Sequence, residues 1–116
     1  MILCRVTGDV VSTIKNPKLH GQLDICWAAV AGHDPVAEMK RLSGRIPMLH
    51  VKDCADFEER RLTEVGTGKV DIAGVVAAAG ECGVKFLIVE QDDGWIDGDP
   101  FKSIRISLEN LKKMVG

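Results

Sequence analysis

The chain has 116 residues, a length that builds one domain with a substantial core but not two. Hydrophobic residues make up 46% of it, yet no apolar run approaches the roughly 20 residues of a membrane span, so we expect no membrane partner. The formal net charge of −2, with both signs intermixed and no basic stripe, argues against a nucleic-acid partner.

The N-terminal residues and the cysteines indicate a cytoplasmic protein. Arg5, Asp9 and Lys15 interrupt the apolar positions at the start of the chain, so the pattern of a secretory leader is missing. The four cysteines are widely spaced and form no C-x-x-C pair, which argues against a zinc knuckle or a thioredoxin-type redox site. We expect reduced, mostly buried thiols.

The first predicted element is a strand over Ile2 to Ile14, which is rich in β-branched side chains. The segment Asn16 to Gly21 has the composition of a loop. A parallel crossover needs a dozen or more residues, and this loop is shorter. The first strand is therefore expected to be antiparallel if it pairs with the next one.

From residue 22 onward the pattern changes to strand followed by helix, three times over. The predicted strands, each apolar enough to be buried on both faces, are Leu23 to Val30, Ile46 to Val51 and Val84 to Val89. A long polar loop, Lys52 to Gly68, follows the second of them, with a possible turn of helix around Phe57 to Arg61.

Each of these strands precedes a predicted helix with a recognisable start. The helices begin at Asp34-Pro35, Asp71 and Pro100, because Asp is a favoured N-cap and Pro is favoured at the first helical position. The first runs to about Leu42, and Gly83 ends the second after Cys82. Three consecutive βα units predict a parallel sheet covered by helices.

Three polar side chains end short, strand-like runs: Asp24 ends Gln22-Leu23-Asp24, His50 ends Ile46 to His50, and Glu90 ends Phe86 to Glu90. In a parallel α/β architecture these strand ends form the active face. Two carboxylates and an imidazole suit a hard divalent cation such as Mn2+ or Mg2+, which polarises a carbonyl while a nearby carboxylate, here Glu90, serves as base. The alternative is that the three side chains do not converge.

Other residues near these strand ends admit two interpretations each. Lys52 and Asp53 either orient a substrate or hydrogen-bond the histidine, or they form a solvated loop pair. Trp27 and Trp95 either line a sugar pocket or pack in the core. The glycine-rich loop 64–68 either covers the active face or only turns the chain.

Residues 23–116 resemble the C-terminal part of the sugar phosphate isomerase/epimerase family, the xylose isomerase-like TIM barrels. The stretches that carry the resemblance are LDICWAAVAGHDP, RIPMLHVKD, TEVGTGKVD, FLIVEQDD and DPFKSIRISLENLKK. They correspond to the last three of eight βα units. A complete TIM barrel requires roughly 200 to 250 residues. We therefore expect an α/β fold that is a partial (β/α) barrel of three βα units with an extra N-terminal strand.

The resemblance implies a metal-dependent sugar or sugar-phosphate isomerase or epimerase. In such barrels Asp24, His50 and Glu90 would match the last three of four metal ligands, and Glu90 would also be catalytic. The first ligand, a carboxylate from an earlier strand, has no candidate in this chain. By resemblance, Lys52, Trp27 and Glu64 would contact a sugar substrate, although Trp27 stands where some relatives carry a histidine. We therefore expect weak or absent metal binding and no activity by the isolated chain.

Residues 1–22 resemble a different family, the small β-barrel vertex proteins of bacterial microcompartment shells, of the ethanolamine-utilisation and carboxysome type. The segment MILCRVTGDVVSTIKNPKLHGQ would be the first strand of such a protein and the loop after it. On this interpretation the chain is a chimera of two family fragments, 1–22 and 23–116.

Two other functions remain open besides the enzymatic one. The chain can be a non-catalytic α/β module that forms a homo-oligomer through exposed sheet edges, because an interrupted barrel leaves unpaired backbone groups at those edges. It can also be a structural protein associated with a microcompartment shell.

Overall fold

The computed structural model describes the backbone of residues 2–5 and the whole of residues 21–116. Its main sheet has four strands, β1 (Ile2–Arg5), β2 (Gln22–Asp24), β3 (Met48–Val51) and β6 (Phe86–Val89). They lie in the order β1-β6-β3-β2, and every neighbouring pair is parallel. The fold is thus the expected partial (β/α) barrel with an extra N-terminal strand.

The expected antiparallel pairing of the first strand is wrong. Strand β1 pairs in parallel with β6, with Ile2 opposite Phe86 and Arg5 opposite Val89. It is separated from β2 by both β6 and β3. The physical reason is length: the described strand ends at Arg5, so the chain from there to Gln22 exceeds the dozen residues that a parallel crossover needs. The remainder of the predicted strand, residues 6–14, lies outside the described residues.

The predicted strand Leu23 to Val30 is also corrected, because most of it is helix. Strand β2 ends at Asp24, and helix α1 (Ile25–Val30) begins at the next residue. Asp24 is the N-cap, since its carboxylate accepts a hydrogen bond from the backbone N–H of Trp27 at 3.0 Å. An apolar run alone does not distinguish a buried strand from a buried helix.

The three predicted helices are present and begin as expected. They are α2 (Pro35–Arg41), α3 (Ile72–Ala79) and α4 (Pro100–Val115). Their N-caps are Asp34, Asp71 and Asp99, and each side chain accepts hydrogen bonds from backbone amides of the first turn. Gly83, with φ of 80°, adopts the left-handed conformation after α3. A short 3-10 helix (Ile96–Gly98) precedes α4.

The segment predicted as a polar loop after β3 contains a β-hairpin instead. Strands β4 (Asp53–Asp56) and β5 (Arg61–Thr63) form a separate two-stranded antiparallel sheet. Residues 57–60 form the connecting turn, so the possible helical turn there is wrong. The carboxylate of Asp56 accepts hydrogen bonds from the backbone N–H groups of Glu58 and Glu59, which stabilises the turn.

The hydrophobic core lies between the sheet and its helices. Met39 of α2, Val75 of α3 and Leu111 of α4 are fully buried with Leu49 and Leu87 of the sheet. Cys26, Cys54 and Cys82 are free and buried, as predicted. Among the described residues no helix is long and apolar enough to cross a membrane.

Candidate metal centre

Asp24, His50 and Glu90 lie together because their strands are neighbours. In the parallel register Asp24 is opposite His50, and Val51 is opposite Val89, so Glu90 follows at the same edge of the sheet. One ligand atom from each of the three side chains lies within 4.8 Å of the others. Within the described residues this is the one such group of three or more potential ligands. The structure therefore brings together the three side chains singled out from the sequence.

The imidazole of His50 lies between two oxygen atoms. Its Nδ1 is 2.5 Å from Glu90 Oε2, and its Nε2 forms a hydrogen bond with the side-chain oxygen of Gln22. A neutral imidazole donates a hydrogen bond from one ring nitrogen and accepts one, or binds a cation, with the other. With His50 only 1% exposed, bulk water does not satisfy these groups.

Each of the two buried carboxylates has an oxygen in a hydrogen bond with a neighbouring group. Asp24 Oδ1 caps helix α1, and Glu90 Oε2 contacts the imidazole. Glu90 Oε1 is buried and has no hydrogen-bond partner among the described residues. Burial raises the pKa of both Asp24 and Glu90 more than the neighbouring hydrogen bonds and the Lys52 ammonium lower it.

The ammonium group of Lys52 lies among carboxylates and is buried with its stem. Its Nζ is 2.6 Å from Asp92 Oδ2, 3.5 Å from Asp24 Oδ2 and 3.7 Å from Glu90 Oε1. Burial lowers the pKa of Lys52, but the hydrogen bond to Asp92 and the charges of Asp24 and Glu90 outweigh it, so the pKa is raised overall. The interpretation of Lys52 as part of a solvated loop pair is therefore wrong.

The donor set fits a hard divalent cation. Two carboxylates and one imidazole are ligands that Mn2+ or Mg2+ accepts, and the unpartnered Oε1 of Glu90 is a buried oxygen that a cation would satisfy. The residues that would hold the ion are Asp24, His50 and Glu90. These three ligands leave further coordination positions for water or substrate.

Asp53 has a structural role instead of the predicted contact with the histidine. Its Oδ2 accepts hydrogen bonds from the N–H groups of Gly66 and Gly68, at 2.9 and 3.0 Å, and its Oδ1 accepts from Val70 at 3.1 Å. The carboxylate is fully buried, so it fixes the glycine-rich loop against the hairpin. The solvated interpretation of Asp53 is wrong for the same reason.

Of the predicted substrate-contacting residues, Trp27 lies beside the site. Its ring centroid is 5.1 Å from the Nζ of Lys52, a cation–π distance. Glu64 instead contacts helix α4, accepting a hydrogen bond from Ser103 Oγ at 2.5 Å. Burial raises the pKa of Glu64, but hydrogen bonds led by that of Ser103 outweigh it and lower the pKa overall. Trp95 is 38% exposed and donates to the backbone of Gln91.

Sequence reasoning missed two residues of the site, Gln22 and Asp92. Gln22 contacts the imidazole, and Asp92 is the carboxylate nearest to Lys52 in the described part of the chain. A signal for both was present. Side chains two positions apart in an extended chain point to the same side, so Gln22 accompanies Asp24 and Asp92 accompanies Glu90.

Two solved structures are similar to this chain. A sugar phosphate isomerase/epimerase from Parabacteroides distasonis ATCC 8503 matches with a TM-score of 0.68 and 27% identity, over 84% of this chain and 31% of that one. A xylose isomerase domain protein from Alicyclobacillus acidocaldarius subsp. acidocaldarius matches with a TM-score of 0.67 and 17% identity, over 85% and 38%. The described fold is part of an isomerase-type (β/α) barrel. The chain spans about a third of the length of both proteins.

Other comparisons add nothing to this similarity. No protein-family model matches the chain, and no curated protein matches it. The comparisons do not support the resemblance of residues 1–22 to microcompartment shell proteins. Most of that segment, residue 1 and residues 6–20, lies outside the described residues, and the chimeric boundary after residue 22 stays a prediction.

Proposed function

We propose that this chain contributes the metal-binding strand ends of a sugar or sugar-phosphate isomerase or epimerase and is inactive alone. The observation that carries the proposal is the group of ligand atoms from Asp24, His50 and Glu90, within 4.8 Å of one another at the C-terminal ends of parallel strands. The similarity to a sugar phosphate isomerase/epimerase supports the substrate class.

The side chains of the site can perform the proton transfer that isomerisation requires. A bound divalent cation would polarise the carbonyl of a sugar at this position. Glu90 is the base, because its raised pKa lies closer to neutrality than that of an ordinary carboxyl group. Lys52 supplies a fixed positive charge for the oxygen that becomes negative.

Two features of the described residues support the inactivity of the chain alone. Epimerisation at a carbon needs an acid/base group on each face of the substrate, one to remove the proton and one to return it. Among the described carboxylates, Glu90 is the one with a buried oxygen that has no hydrogen-bond partner. Asp92 is occupied by the ammonium group of Lys52. The four-stranded sheet, moreover, is open on both sides. We therefore expect no turnover of ketoses or their phosphates by the purified chain.

A titration with Mn2+ tests the proposed site. Calorimetry should show binding by the wild-type chain and none by His50→Ala. The matched control is His33→Ala, because His33 is exposed at the end of α1 and outside the ligand group. Equal binding by wild type and His50→Ala would overturn the proposed centre. Robust Mn2+-stimulated epimerisation by the isolated chain would overturn its inactivity while leaving the centre intact.

Self-association is a second candidate, supported by the open sheet. Strands β1 and β2 are each paired on one side only in the described structure, and a closed barrel would leave neither edge unpaired. We infer that two or more copies of the chain associate through these edges. The association is compatible with either the enzymatic or the non-catalytic function.

A further inference from the structure

Lys52 places a buried ammonium group beside the ligands of the candidate metal centre, which is unusual because a cation there has the same sign of charge as the ion. Its side chain is 1% exposed, and among the described residues its ammonium group lies within 4 Å of three carboxylates, those of Asp24, Glu90 and Asp92. It also faces the ring of Trp27. Burying a lysine without charge compensation is strongly unfavourable, so this ammonium group is stable here because the carboxylates surround it.

The oxygens that face Lys52 are the same ones that a metal ion would use. Asp24 Oδ1 is committed to the helix cap and Glu90 Oε2 to the imidazole. The remaining oxygens, Asp24 Oδ2 and Glu90 Oε1, are the ones at 3.5 and 3.7 Å from Lys52 Nζ. A divalent cation held by those oxygens would therefore lie close to a like charge.

We propose that Lys52 is a built-in cation that balances the charge of the site without metal and competes with a divalent ion for Asp24 and Glu90. The inference rests on the proposed metal centre and adds a residue that sets its affinity. Asp92 is the anchor of the ammonium group, because among the described residues it makes the shortest contact with it and lies outside the ligand group. When an ion binds, Lys52 keeps Asp92 and gives up its contacts with Asp24 and Glu90.

Substitution of Lys52 should have opposite effects on the chain with and without metal. Removing the ammonium group leaves three neighbouring carboxylates unbalanced, which destabilises the metal-free fold. It also removes the like charge, so the ion binds more tightly. Because a ligand that binds only the folded state stabilises it, added Mn2+ should raise the melting temperature of the variant more than that of wild type.

The experiment compares Lys52→Met with Lys85→Met, because Lys85 is exposed and immediately precedes strand β6. Calorimetry with Mn2+ should give at least tenfold tighter binding by Lys52→Met than by wild type, and unchanged binding by Lys85→Met. Thermal melts should show a lower melting temperature for metal-free Lys52→Met and a larger increase on adding Mn2+.

The outcomes separate this inference from the proposed function. If wild type binds Mn2+ and folded Lys52→Met binds it no more tightly, the competition is refuted and the metal centre stands. If neither folded chain binds Mn2+, both fail. If Lys52→Met does not fold, Asp92→Asn replaces it: loss of the anchor should move the ammonium group onto Asp24 and Glu90 and weaken Mn2+ binding. Unchanged or tighter binding by Asp92→Asn would refute the inference.

Discussion

His50 Nδ1 lies 2.5 Å from Glu90 Oε2, with both side chains buried at the ends of neighbouring parallel strands. This contact fixes the ring and one carboxylate oxygen, and it leaves the other oxygen of Glu90 without a hydrogen-bond partner in the described structure. The pair thus holds a potential ligand in place before any ion binds, which lowers the cost of ordering the site on binding.

Glu90→Gln should weaken Mn2+ binding by at least about tenfold without unfolding the chain. The amide keeps the shape of the side chain but removes one negative charge and one strong ligand oxygen. Calorimetry measures the affinity, and circular dichroism checks the fold. Glu81→Gln is the control, because Glu81 is exposed beyond α3. Wild-type affinity in Glu90→Gln would exclude Glu90 as a ligand.

Mn2+ affinity should fall as the pH is lowered. An ion binds the deprotonated carboxylates, and burial raises the pKa values of Asp24 and Glu90 above 3.8 and 4.5, so protons compete at a higher pH than at an exposed acidic site. Lower pH therefore protonates the ligands and releases the ion. Calorimetry in buffers of different ionisation enthalpy should detect protons released on binding at acidic pH. An affinity that does not change between about pH 8 and about pH 5 would contradict this prediction.

Gly68→Ala should destabilise the chain by about 1–3 kcal/mol. A Cβ at Gly68 would lie 2.4 Å from Asp53 Oδ1 and 2.5 Å from the carbonyl oxygen of Cys54, so the buried carboxylate that fixes the loop must move. Gly80→Ala is the control. It has helical φ and ψ, and a Cβ there meets nothing within 4 Å, so stability should be unchanged or slightly higher. Urea unfolding of both variants measures the difference, and equal stabilities would contradict the role of Asp53.

The chain should form oligomers at tens of micromolar, since two sheet edges are unpaired in the described structure. Light scattering measures the mass. Phe101→Ser separates edge pairing from association through α4, because Phe101 is 66% exposed on that helix. Oligomers that persist in Phe101→Ser support the edges. A stable monomer of the wild-type chain would contradict self-association, and a monomeric Phe101→Ser would place the contact on α4.

Features with strong local causes were predictable from the sequence. Asp34 and Asp71 cap helices as expected, because the N-cap is set by a side chain and the amides of the next turn. The ligand group was predictable because the C-terminal ends of parallel strands share one edge. These features need no knowledge of distant contacts beyond the order of the strands.

Features set by distant contacts were not predictable in this way. The partner of β1 depends on Phe86 to Val89, far away in the chain. The hairpin depends on Cys54 lying opposite Leu62, and two short, mostly polar strands give little alternation to recognise. Likewise, the burial of Lys52 depends on Asp92 and Asp24, which belong to other strands or loops.

The most direct test of the metal centre is the position of a bound ion. Crystals of the chain grown with millimolar Mn2+ should be measured at the manganese absorption edge, where anomalous scattering locates the ion independently of the protein atoms. The account predicts one peak in contact with an oxygen of Asp24, an oxygen of Glu90 and a nitrogen of His50. A peak bound elsewhere, or none at these strand ends while Lys52 still contacts Asp24 and Glu90, would contradict it.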